Sequence, residues 1–259
     1  MTRKKFRASM NEGVSESIGF LLIFTLMIAG IGLVTLYGYP MLMLQQTSAD
    51  EQIMEKNMIV LQNDVKSLAY KTVPYKETSL KIGGGALTVY NSLHTPPSST
   101  ITIRDGLSAI VEDFKSGDLT YHSASTDTEL SLQNGAVVKR QDMGSVMLAE
   151  PRWFYDGQTK TMVINLVNFT STNIMSRQGI GTVQVALGET RFDDHVPLND
   201  MYLDYTYDPD RDYSAAWDNY FQNTLGMTRE PGTEPLRTYK FPPTSRLVIK
   251  QYKVNIRSL

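Results

Sequence analysis

The chain has 259 residues, 41% hydrophobic and 20% charged, a globular composition that excludes an intrinsically disordered protein. Its net charge of −2 conceals a basic start: Arg3, Lys4, Lys5 and Arg7 stand against Glu12, which leaves −5 after residue 13 and argues against a nucleic-acid partner. With no cysteine, a disulfide framework, a thiolate metal site and a cysteine nucleophile are all excluded.

Residues 18–44 read IGFLLIFTLMIAGIGLVTLYGYPMLML, without a charge and without a polar face. As a helix this run is roughly 40 Å long, more than the ~30 Å hydrocarbon core of a bilayer requires. Gly19, Gly30, Gly32 and Gly38 weaken a helix in water but suit close approach between membrane helices. Pro40 is expected to kink the helix or end its first half. Tyr37 and Tyr39 stand where an interfacial aromatic belt would, and the 3–7 basic cluster places the N-terminus in the cytoplasm. A secretory signal peptide would have an apolar core of about 7–15 residues and a small-residue cleavage site after it; neither fits. A permanent anchor fits the hydropathy equally well.

The segment ahead of this run, Asn11-Glu12-Gly13 followed by Val14-Ser15-Glu16-Ser17-Ile18-Gly19, resembles archaeal type IV pilin-like precursors with a class III signal peptide. The resemblance implies that a prepilin peptidase cuts between Gly13 and Val14 on the cytoplasmic side. The apolar helix then stays on the mature protein as a filament core. It further implies a membrane platform and ATPase for assembly, other pilin subunits as partners, and lipid before assembly. Two departures stand out: the family's proline is Glu16 here, and the acidic residue falls third after the cut rather than fifth, as is usual in bacterial pilins. In a filament, Glu16 would neutralise a neighbour's new N-terminal ammonium; the plainer account is a solvated residue flanking an anchor. Gly19 and Pro40 are the other helix positions expected to matter for assembly.

Residues 46–72 predict a second, amphipathic helix, with Ser48 as N-cap and Glu51 completing a capping box. Met54, Met58, Leu61, Val65 and Leu68 form its apolar stripe, too short for a coiled coil and better suited to packing on the chain's own β-domain. Pro74 closes it. Beyond residue 76, short alternating runs replace helical periodicity. SLKIGGGALTVY at 79–90 predicts a bulge, bend or hairpin at Gly83-Gly84-Gly85, and lacks the G-K-[ST] and helix of a phosphate loop. Residues 91–99 read as loop, 100–103 as strand and Asp105-Gly106 as turn. Asn134-Gly135 predicts a type I′ hairpin between alternating strands. Further strands are predicted at 161–169, 181–187 and 246–256, and a short helix at 213–225 with Trp217, Tyr220 and Phe221 inward. The 228–244 segment reads as a Pro-rich loop.

Chemistry-bearing patterns are sparse. His94, His122 and His195 have no ligand spacing and read as polar surface. Asp208, Asp210 and Asp212 alternate as in a calcium loop, and Asp193-Asp194 offers further carboxylates. However, Tyr213 replaces the loop's glycine, Asn219 its final glutamate, and Pro209 intrudes. Asn168-Phe169-Thr170 is the one N-x-[ST] sequon, making Asn168 a glycosylation candidate inside a predicted strand.

These readings predict an α+β protein: a basic leader (1–13), an apolar transmembrane or filament helix (14–45), an amphipathic stalk helix (46–75), and an antiparallel, sandwich-like β-rich head outside the cytoplasm (76–259). The expected role is a non-enzymatic pilin-like subunit of a surface filament, a minor or tip subunit given the large head, serving adhesion. The alternative is an uncleaved single-pass protein displaying a β-sandwich binding domain.

Overall fold

The computed structural model describes residues 9–71, 73–92, 99–142 and 144–259, so the basic cluster at 3–7 and His94 lie outside the described residues. The protein is α+β: one long N-terminal apolar helix precedes a mostly antiparallel β-domain. The chain divides into two compact units, Met1–Ala49 and Asp50–Leu259, so the second opens inside the predicted stalk segment.

The first unit carries α1 (Ser9–Leu33), a π-helical turn at Val34–Gly38, and the opening turns of α2 (Tyr39–Tyr70). Pro40 neither ends the helix nor opens a loop. It has no N–H for the carbonyl four residues back and its ring would press on that carbonyl. The wider turn just ahead absorbs the conflict, with the Tyr39 N–H donating to the Val34 carbonyl five residues back. Because the helix runs unbroken through 39–70, Ser48 is no N-cap: a cap needs free N–H groups at a helix start, and here the preceding turns are already helical. Glu51 is buried instead and accepts from the Thr126 hydroxyl.

In the second unit the strands are β1 (Tyr75–Tyr90), β2 (Ser99–Asp105), β3 (Ser108–Lys115), β4 (Asp118–Ser123), β5 (Thr128–Gln133), β6 (Ala136–Gln141) and β7 (Gly144–Ala149). They continue as β8 (Phe154–Asp156), β9 (Thr161–Ser171), β10 (Met175–His195), β11 (Met201–Tyr207), β12 (Thr228–Arg229), β13 (Leu236–Lys240) and β14 (Arg246–Ser258). A nine-stranded sheet runs β7-β6-β5-β4-β1-β10-β14-β9-β8, and a five-stranded sheet runs β12-β13-β11-β2-β3. All pairs are antiparallel except β14 with β9. That parallel pair is the exception in a head that is otherwise antiparallel as expected, and β12 and β13 occupy part of the segment expected to be loop.

Strand alternation gives the large sheet two apolar faces. One holds Val167 and Phe169 of β9 and Tyr252, Val254 and Ile256 of β14, with the helical stripe Met54, Met58, Leu61, Val65 and Leu68 laid against it. All five stripe residues are at most 2% exposed, so the stripe packs on its own β-domain, each contributing roughly 2 kcal/mol of burial. Gln62, also buried, seats the helix by donating from Nε2 to the carbonyls of Gly135 at 2.8 Å and Glu150 at 2.9 Å. The opposite face holds Met162, Ile164 and Leu166 of β9 and Leu247 and Ile249 of β14. The small sheet and α3 (Ser214–Asn219) cover it through Ile103, Leu203, Tyr239 and Trp217. Trp217, Tyr220 and Phe221 are inward as expected, with Phe221 4.9 Å from the Tyr239 ring centre.

The triple glycine makes a bulge within one long strand, not a hairpin: pairing of β1 with β10 shifts between Ile82 and Leu87. A Cβ at Gly85 would lie 2.1 Å from the His122 carbonyl oxygen, and Gly84 has φ +63°, so close approach and a left-handed residue both demand glycine here. At the β5–β6 turn, Asn134 and Gly135 both have positive φ, 47° and 75°, as a type I′ turn needs. The Asn134 side chain also accepts from the Val167 N–H of β9, so the sheet curls until this turn meets a strand that four others separate from β5 in the sheet order.

Candidate functional site

The feature that most constrains function is the apolar helix. From Ile18 to Leu44 its large side chains are exposed on every side, Phe20 at 71%, Leu26 at 72% and Leu36 at 71% among them. The span is long and apolar enough to cross a membrane. Its two threonines are satisfied locally: the Thr25 hydroxyl donates to the Leu21 carbonyl at 2.7 Å and that of Thr35 to the Ile31 carbonyl at 2.9 Å. A side chain that bonds its own helix can enter an apolar medium without an unmet donor. Added Cβ atoms at Gly19, Gly30 and Gly32 would meet nothing within 4 Å, so these positions are open notches on the helix. The backbone of Gly13, Val14 and Glu16 is helical, within α1; their side chains lie outside what the structure describes.

The remaining sequence-marked residues sit in the second unit and are used structurally. Asp208 accepts from the Asp210 N–H and Asp212 from the Ser214 N–H, so two of the three carboxylates of the supposed calcium loop act as local caps. Among the described residues no group of three or more acidic or histidine side chains could hold a metal. Asp194 instead pairs with Arg246. The Asn168 amide donates to the Lys115 carbonyl at 2.8 Å while its oxygen accepts from Ser92, so the sequon nitrogen is already engaged within β9.

Sequence reading missed a polar network on the face of β4 and β5 that turns away from the helix. Its centre is Glu129, which accepts from Arg140 Nε at 3.0 Å and the Tyr213 hydroxyl at 2.7 Å and pairs with His122 Nδ1 at 3.1 Å. Burial alone would raise the Glu129 carboxyl, but the hydrogen bonds from His122, Arg140 and Tyr213 outweigh it and hold it well below the usual carboxylate range. Beside it Arg211 donates to fully buried Asp118 at 3.0 Å and lies 3.8 Å from the Tyr90 ring centre, while Tyr90 bonds His122 Nε2. Together they fasten the 208–213 segment onto the sheet. The signal was present: in β5 Glu129, Ser131 and Gln133 alternate with Leu130 and Leu132, a polar stripe inside a strand buried on both faces. His195 likewise pairs with Asp105, whose carboxylate also accepts the Leu198 and Asn199 N–H groups. Led by the Leu198 N–H, these bonds lower the Asp105 carboxyl to about 2.

A family model described as "Family of unknown function (DUF7289)" matches residues 12–257. No curated protein and no solved structure matches the chain.

Proposed function

The chain belongs to the DUF7289 family, and from that premise we propose that it is a pilin-like structural subunit of an archaeal type IV pilus-like surface filament, in a minor or tip position. The observation that carries this reading is an apolar helix exposed on all sides, behind a basic leader and a Gly13-Val14 junction that resembles a class III signal-peptide site. A helix apolar all round needs a medium that is not water. Lipid supplies it before assembly, and the helices of neighbouring subunits supply it afterwards, the Gly19, Gly30 and Gly32 notches admitting their side chains. In this reading a prepilin peptidase cuts after Gly13, a membrane platform and ATPase extrude the subunit, and the β-rich head faces outward for adhesion. The head acts by contact rather than catalysis.

The test is the mature N-terminus, read by mass spectrometry on protein from native membranes or shed filaments. A chain starting at Val14 supports the pilin reading, and Gly13 substitutions should then block assembly. A chain retaining Met1 or Thr2 with its helix in the bilayer overturns it, in favour of a fixed single-pass anchor displaying the same head. The uncut anchor is the second reading because the same hydropathy serves it.

A further inference from the structure

The helix covers only part of its face of the large sheet. Where α2 ends at Tyr70, a cleft of about 400 Å³ opens over the uncovered strands, floored by Asn165, Lys250 and Tyr252 and walled by Tyr70, Arg152 and Phe154. The volume falls in the range of small-ligand pockets. Its walls are aromatic: Tyr70 meets Tyr252 edge to face at 5.4 Å, and Phe154 is 48% exposed although large and apolar. Its charge is positive. Among the described residues neither Arg152 nor Lys250 forms an ion pair, in a chain that is acidic beyond its leader.

The Arg152 guanidinium lies 4.6 Å from the Tyr70 ring centre. Stacking of this kind orients the guanidinium and leaves its N–H edge free to donate. Lys66 adjoins the same cleft and donates to the Glu150 carbonyl at 3.3 Å. Burial first, and then the charge of Arg152, lower its ammonium below the ordinary value despite the opposing pull of Glu150. Lys66 and Arg152 thus oppose one another with only Glu150 as an offset, a cost to the folded chain that an anionic ligand would relieve.

We propose that this cleft binds a carboxylated sugar, a uronic acid or short uronate-rich glycan, its carboxylate on Arg152 and Lys250 and its ring against Tyr70 and Phe154. A planar guanidinium suits a carboxylate, and aromatic faces suit the C–H face of a pyranose ring. A cleft of about 400 Å³ with aromatic walls favours one or two rings over an extended acidic peptide. The inference concerns the second unit alone and stands whether or not the N-terminal helix assembles a filament, so the N-terminal test and this one fail separately.

The experiment is calorimetric titration of the full-length protein in detergent with trigalacturonic acid, its methyl ester, maltotriose and a tetraglutamate peptide. Binding of the acid, about tenfold weaker for the methyl ester and for each of Arg152→Gln and Lys250→Gln, is the expected result. Both variants should stay folded at the assay temperature, since each loses only a cation over an aromatic ring, Arg152 on Tyr70 and Lys250 on Phe192, and no ion pair. Equal binding of the ester or of maltotriose, or no binding of the acid, overturns the proposal. Tighter binding of tetraglutamate than of the sugar acid overturns it in favour of an acidic-peptide site.

Discussion

Two stretches of the same helix solve opposite problems. Between Ile18 and Leu44 apolar residues surround the axis and stay exposed, Ile23 at 60%; between Met54 and Leu68 they keep to one stripe and vanish, Met58 at 0%. The outer stretch, with four glycines and Pro40, is the poorer helix former yet equally helical, so it is the angular distribution of apolar residues that sets the two fates apart. A stripe states that the chain brings its own partner; an unbroken cylinder states that the partner comes from outside. The boundary is as informative. Gln45, Gln46, Thr47 and Ser48 restore polarity within about one turn of Leu44, and by Asp50 the chain has entered the second compact unit.

The comparison can be broken most sharply with one kind of substitution at two places. Met58→Lys should destabilise the β-domain by roughly 4 kcal/mol or more, because a charge is forced into a site without a partner; urea unfolding of the detergent-solubilised chain measures it. Ile28→Lys should leave that unfolding midpoint unchanged and instead cost roughly 3 kcal/mol of membrane insertion, read as loss from the carbonate-resistant membrane fraction. Equal effects of the two on the head's unfolding midpoint would show that the outer stretch is not the externally partnered one. Glu129→Gln should destabilise the head by roughly 2 kcal/mol in the same unfolding assay, since Arg140 and His122 lose a shared anion.

A smaller effect is expected at Asp105. Its carboxyl is depressed, so the stability it contributes is complete above the unfolded value near pH 4 and is lost as pH falls toward 2. After solvent screening this is about 1 kcal/mol. Melting temperatures of Asp105→Asn and the parent should therefore converge over that window. Smallest of all, Ser48→Ala should change stability within about 0.5 kcal/mol, since no helix begins there.

Elements whose cause is local were legible in the sequence. The stripe on α2, the Asn134-Gly135 turn and the inward Trp217, Tyr220 and Phe221 each follow from spacing or backbone conformation within a few residues. The helix through Ser48 was not, because capping residues only cap where a helix is free to start. The glycine bulge allowed three readings from sequence, and the choice among them depends on the His122 carbonyl, which arrives from another strand. The parallel pairing of β14 with β9 has no local signature at all. The same holds for chemistry: Arg152, Lys250 and Tyr70 are distant in sequence, and their cleft exists only because the helix stops short of the sheet's far end.

One topological fact governs how the head comes into being. β14, the last strand in chain order, lies between β10 and β9 in the large sheet. Until residues 246–258 are made, β9 and β8 have no strand joining them to the rest, and a six-stranded and a two-stranded piece wait with open edges. Folding of the head is therefore gated by synthesis of its final strand, a non-local and slow closure. The apolar helix, made first, is thus complete and seeking its own medium long before the head can close.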